Sequence, residues 1–71
     1  MLKVEKNFVV LKLNKRFYSE EAIEQAIKDY EDICKADFHK WDFEIFLKPK
    51  VKIELRELGL EFANYCLGMM K

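Results

Sequence analysis

Residues 40–54 read Lys40-Trp41-Asp42-Phe43-Glu44-Ile45-Phe46-Leu47-Lys48-Pro49-Lys50-Val51-Lys52-Ile53-Glu54. Over 40–48 apolar and polar side chains alternate, the period of a strand with one buried face. That spacing predicts Trp41, Phe43, Ile45 and Leu47 inward and Asp42, Glu44, Phe46 and Lys48 outward. Pro49 has no amide to donate, so the strand is expected to stop there and turn through Pro49-Lys50. A short second strand over 51–54 would then place Val51 and Ile53 on the same core.

Upstream, 17–36 carries the opposite period. Ala22, Ile23, Ala26, Ile27, Tyr30, Ile33 and Cys34 recur at helical spacing, and Glu20, Glu24, Lys28, Glu31, Asp32 and Lys35 fall largely outside that stripe. Ser19 is placed to cap the free amides, Glu20 and Glu21 sit in the positive first turn, and Tyr18 can pack onto Ile23. The helix is expected to end near Lys35 or Ala36. Earlier still, 7–14 put Val9, Leu11 and Leu13 on one side of a strand and Phe8, Val10 and Lys12 on the other. From Leu55 onward Leu58, Phe62, Tyr65, Cys66 and Met69 return to helical spacing, interrupted by Gly59 and Gly68.

The expected order is therefore β-α-β-β-α in a single domain over 1–71. A strand, helix, strand unit favours parallel strands, and the following strand can slot antiparallel between them. The result is an α+β two-layer sandwich, a three-stranded sheet of order 1-3-2 with both helices on one face. This is a ferredoxin-like arrangement lacking its last strand; order 1-2-3 is the alternative. In either order one sheet face has no helix over it. The first strand is an expected edge, able to accept a strand from a second copy or from an extended peptide.

Composition narrows the chemistry. Lys and Arg number 13, as do Asp and Glu, for zero net charge, and 51% of the 71 residues are apolar. A neutral chain lacks the basic excess of a nucleic-acid or anionic-membrane binder. No segment approaches the roughly 20 apolar residues of a membrane span, and no leader pattern is visible. There is no Thr, a single Ser (Ser19), a single His (His39) and no Gly-rich phosphate loop. Cys34 and Cys66 could pair, but each falls on a helical apolar face, where Cys packs as a small hydrophobe. A reducing, cytoplasmic setting fits that reading. Cys34, Asp37 and His39 include the residue types of a thiol nucleophile and its base, without any spacing signature. Cys34, His39 and Cys66 lack the paired spacing of a zinc site. No catalytic residue, cofactor or metal is assigned.

Surfaces are more informative. The open sheet face should carry Phe8, Val10, Lys12 and Phe46, candidates for partner binding, and Met70 at the end of the last helix is a further candidate. Residues 17–34 hold six acids and one base, a formal −5, against +4 over 1–16 from five bases and one acid. Such segregation suits either a solvated helix or docking to a basic partner. Glu61 and Asn64 are polar residues within the apolar pattern of the last helix, and local bonding accounts for them.

The segments LKLNKRFYSEEAIEQAIKDYEDICKADF (11–38), IFLKPK (45–50) and LGLEFANYCLGMMK (58–71) together resemble the HxsD-like proteins of the His-Xaa-Ser peptide-modification system. The shared features are the helix start at Tyr18, Ser19, Glu21 and Ala22, then Cys34, the Leu47 and Pro49 turn, and Glu61, Phe62 and Asn64. The chain departs from that pattern at Gly68, Met69 and Met70. The resemblance implies an accessory protein encoded beside radical SAM enzymes that modify a His-Xaa-Ser peptide, and it implies no catalytic residue. The expected function is a non-enzymatic interaction module, homodimeric or in a complex, binding a radical SAM enzyme or its peptide. An enzyme subunit completed across an interface by Cys34 and His39, or a purely structural homo-oligomer, are the alternatives.

Overall fold

The computed structural model describes residues 1–70. It contains β1 (Leu2–Val4), β2 (Val9–Lys12), α1 (Glu20–Asp29), β3 (Cys34–His39), β4 (Glu44–Pro49) and α2 (Leu55–Gly68). The α+β class stands, but the sheet has four strands, in the order β1-β2-β4-β3, rather than three. Every neighbouring pair is antiparallel. β2 and β3 therefore run parallel to one another with β4 inserted between them.

The expected strand boundaries need correction. The expected 40–48 strand forms only from Glu44, as β4 with Ile45 and Leu47 buried as expected; 40–43 is a turn, and the hairpin pairs Cys34–His39 with Glu44–Pro49. The expected helix end near Lys35 lies in that first hairpin strand, because α1 stops at Asp29 and the chain turns through 30–33. Cys34, Ala36 and Phe38 alternate with Lys35, Asp37 and His39, so the period of two was present there too. Cys34 satisfies both patterns, and the hairpin ladder outweighs continuation of the helix. Residues 51–54 form no strand, and Pro49 ends β4 instead of making a turn between strands. The ladder closes where the Lys50 amide donates to the Ile33 carbonyl at 2.7 Å.

The β1 strand was not expected, and it removes β2 from the edge. Leu2, Lys3 and Val4 pair with Leu11, Val10 and Val9, and a turn bond from the Glu5 amide to the Phe8 carbonyl closes the hairpin. Lys3 between Leu2 and Val4, with Glu5 and Lys6 directly after, hid this strand from a hydropathy reading.

Both helices lie over one face. Val9, Leu11, Ile45 and Leu47 from the sheet meet Ile23 and Ala26 of α1 and Leu58, Phe62 and Cys66 of α2 in one core. Fully burying side chains of this size contributes roughly 1.5–3 kcal/mol each before the entropy of ordering them. Ser19 caps α1 as expected, its hydroxyl accepting from the Ala22 amide at 3.1 Å. Gly59 faces the sheet: a Cβ built there would stand 2.7 Å from Leu2 Cδ1 and 3.1 Å from Val9 Cγ2. Its role is close approach of α2 to β1 and β2, not interruption of the helix.

The hairpin tip is strained. Phe43 has φ of 52°, the left-handed region that costs a side chain of this kind about 1–3 kcal/mol. Three contacts hold it there. Its carbonyl accepts the Leu13 amide at 3.0 Å, its ring meets Phe38 edge-on at 5.5 Å, and Lys15 Nζ lies 5.6 Å above it. Trp41, expected inward, is 90% exposed at this tip, because the turn uses the residues that would have extended the strand.

Candidate functional site

Strand alternation sends one side chain in two to the face the helices leave open. The cross-strand register brings Lys3, Val10, Phe46 and Asp37 into one row and Lys12, Glu44 and His39 into another. Phe46, on an interior strand, is the centre of this face. Its ring lies 6.0 Å from Phe8 and 5.0 Å from His39, both tilted, so three rings run across the sheet. Phe8, Lys35, Asp37, Phe46 and Lys48 line a shallow depression of about 280 Å³.

Four of the expected partner-binding residues, Phe8, Val10, Lys12 and Phe46, thus come together on the open face. They differ in what they offer. Phe8 and Phe46 are half-buried, with ring surface left to contact a ligand, whereas Val10 is only 9% exposed and serves mainly as floor. Lys12 stands opposite Glu44, a favourable cross-strand pair. Met70 lies elsewhere, beside the start of α1, where its sulfur accepts the Ser19 amide at 3.2 Å.

The register also brings in Lys35, Asp37 and His39, which the sequence pattern does not assign to this face, beside Lys48, which points outward as expected. The signal for the first three was the alternation over 34–39, overlooked once that stretch was read as helix and loop. Lys35 faces Lys48 directly across the ladder. Among the described residues the ion pairs join Lys3 to Glu5 and Lys40 to Glu20 and Glu24, so neither cation beside the depression has a carboxylate within ion-pair distance. Two unneutralised lysines beside exposed ring surface suit a ligand that combines apolar or planar groups with a negative charge or hydrogen-bond acceptors.

The residues considered for thiol chemistry are separated. Cys34 points into the core, and Asp37 and His39 project from the opposite side of the same strand. Burial pushes the Cys34 thiol up despite the nearby Lys50, and burial drives Cys66 up to about 11. Both cysteines are free. No three His, Cys, Asp or Glu side chains among the described residues are grouped so as to hold a metal ion.

The acidic α1 is partly neutralised from within: Lys40 Nζ reaches Glu24 at 2.7 Å and Glu20 at 3.5 Å. Glu61 and Asn64 are solvent-exposed on α2. Among the described residues no helix is long and apolar enough to cross a membrane. A scan against protein-family models and searches of curated proteins and of solved structures return no match to this chain.

Proposed function

We propose that this chain is a non-enzymatic interaction module that binds a peptide or a protein segment on its open sheet face. The observation that carries this reading is the run of Phe8, Phe46 and His39 rings beside the unpaired Lys35 and Lys48. Aromatic side chains are enriched at interface cores, and charged groups at the rim steer and orient a partner. Both cysteine thiols are buried and hard to ionise, which supports a role without thiol chemistry and a home in a reducing, cytoplasmic compartment. In our reading β2, α1, β3 and β4 follow a ferredoxin-like crossover without its last strand, to which β1 is an addition.

The resemblance to HxsD-like proteins directs the choice of partner: a radical SAM enzyme, or the His-Xaa-Ser peptide it modifies. An extended peptide of that kind would lay planar imidazoles across Phe46 and its hydroxyls and carbonyls towards Lys35 and Lys48. The test is calorimetric titration of the wild type and of Phe46→Thr with a synthetic His-Xaa-Ser repeat peptide and, separately, with a purified radical SAM enzyme of a His-Xaa-Ser system. Thr keeps the strand preference while removing the ring. Binding by the wild type that weakens at least about tenfold in the variant supports the proposal, the scale expected for a central aromatic contact. Equal binding by both proteins, or none by either, refutes it.

A further inference from the structure

The two sheet edges differ in what they can join. In an antiparallel ladder, residues alternate between bonding one neighbour and pointing their amide and carbonyl the other way. The bond from Lys50 to Ile33 fixes the phase for β3: Lys35, Asp37 and His39 bond to β4, and the backbone groups of Ala36 and Phe38 point outward. The Cys34 amide is already taken by the Tyr30 carbonyl at 2.9 Å. At the other edge, the bonds of Met1 with Lys12 and of Glu5 with Phe8 leave Leu2 and Val4 pointing outward.

We propose that a second copy of this chain adds to the β3 edge, antiparallel about a two-fold axis at Ala36, joining two four-stranded sheets into one. Strand length selects the edge, and the charges select the register. With Ala36 opposite Ala36 of the second copy, Lys35 of each copy stands opposite Asp37 of the other on the open face. The neighbouring register, with Ala36 opposite Phe38, would set Asp37 against Asp37. At the β1 edge, pairing Leu2 with Val4 would set Lys3 against Lys3; a Val4-centred register would oppose Lys3 and Glu5, but it runs off the end of a three-residue strand. The Ala36-centred register overlaps most of the six-residue β3 and matches opposite charges twice.

The surroundings fit the same occupant. The edge is flanked by a groove of about 430 Å³ between α1 and β3. Ile27, Cys34 and Ala36 give it an apolar floor, and its rim mixes Glu24 and Glu31 with Lys28, Lys35 and Lys50. A rim of both signs is self-complementary across a two-fold axis, which a rim of one sign is not. Roughly four backbone hydrogen bonds would form, two at the axis and one from each Phe38 amide to Cys34 of the second copy. An interface of that extent gives a weak dimer, visible at tens to hundreds of micromolar and sensitive to salt, on the order of magnitude expected for a small contact.

Lys35 and Asp37 also line the open-face depression, but self-association is read without peptide, so its failure would leave the peptide-binding reading intact. Lys35 and Asp37 are both exposed, so changing them leaves the core alone. The experiment is sedimentation equilibrium over a concentration series for the wild type, Lys35→Asp, Asp37→Lys and the double exchange, each checked for folding by circular dichroism. Each single reversal sets like charges opposite each other twice and is expected to weaken the dimer roughly tenfold or more. The double exchange restores opposite charges and is expected to recover dimerisation to within about threefold. A wild type that stays monomeric to millimolar concentration overturns the proposal. So do single reversals that leave the dimer unchanged, or a double exchange that fails to restore it.

Discussion

Replacing Gly59 with Ala sets two known effects against each other. In a helix interior the change gains up to about 1 kcal/mol, because Ala loses less conformational freedom on folding. Here the new methyl would stand 2.7 Å from Leu2 Cδ1, 3.1 Å from Val9 Cγ2 and 3.3 Å from Leu11 Cδ2. Leu2 sits on a three-residue edge strand and can move aside; Val9 is fully buried and β-branched, and cannot turn its methyl away cheaply. Overpacking of this kind costs about 1–3 kcal/mol, so the net expectation is a loss of about 1 kcal/mol, or a melting temperature lower by about 4–8 °C. Gly68→Ala is the control, since a Cβ there meets nothing within 4 Å, and it should stabilise by roughly 0.5–1 kcal/mol. Urea unfolding of both variants, and of Gly59→Ala combined with Val9→Ala, reads the balance. The penalty should shrink in the Val9→Ala background, with a coupling of at least about 0.5 kcal/mol. If Gly59→Ala stabilises as much as Gly68→Ala, the close approach of α2 to β1 and β2 is refuted.

Four further outcomes follow from the packing and the titrating groups. Phe62→Ala should cost about 3–5 kcal/mol, comparable with the whole stability expected of so small a core, and leave a chain unfolded by circular dichroism, with Phe62→Leu folded but weakened. Trp41→Ala, at a tip that is 90% exposed, should shift stability by no more than about 0.5 kcal/mol in thermal melts. Cys66 is held at about 11 instead of its ordinary 9.0, so the folded state disfavours its thiolate: this contribution to stability is complete below pH 9 and is lost as pH rises towards 11, and thiol labelling at neutral pH should track global unfolding. Asp29 is held below the ordinary carboxylate range by hydrogen bonds from the Tyr65 hydroxyl and then Gln25, which stabilises the fold above that range and is lost in acid. Tyr65→Phe should raise the Asp29 titration midpoint seen by NMR.

How much of this could be read from the sequence depended on whether one period or two described a segment. The start of α1 was legible because Ser19, Glu20 and Glu21 belong to a capping signal that only a helix N-terminus uses. Its end was not. The apolar positions Tyr30, Ile33 and Cys34 continue the helical stripe, while Cys34, Ala36 and Phe38 begin a strand, and local pattern alone cannot decide between them. The decision comes from long-range pairing with Glu44–Pro49, a term absent from any window of sequence. Moving that strand forward forced 40–43 into a turn, turned Trp41 outward and left 51–54 as a connection. The open face was legible in part, because Phe8, Val10, Lys12 and Phe46 keep their alternation wherever the strands end. Lys48 keeps its expected outward place with Phe46, whereas Lys35, Asp37 and His39 join them only through the strand at 34–39.

Amide chemical-shift mapping with the His-Xaa-Ser repeat peptide as probe tests directly whether the open face around Phe46 binds. Binding there gives a contiguous set of shifts at Phe8, Val10, Lys35, Asp37, His39, Phe46 and Lys48, with α1 and α2 unmoved. Shifts confined to the helices, or no shifts at saturating peptide, would contradict it.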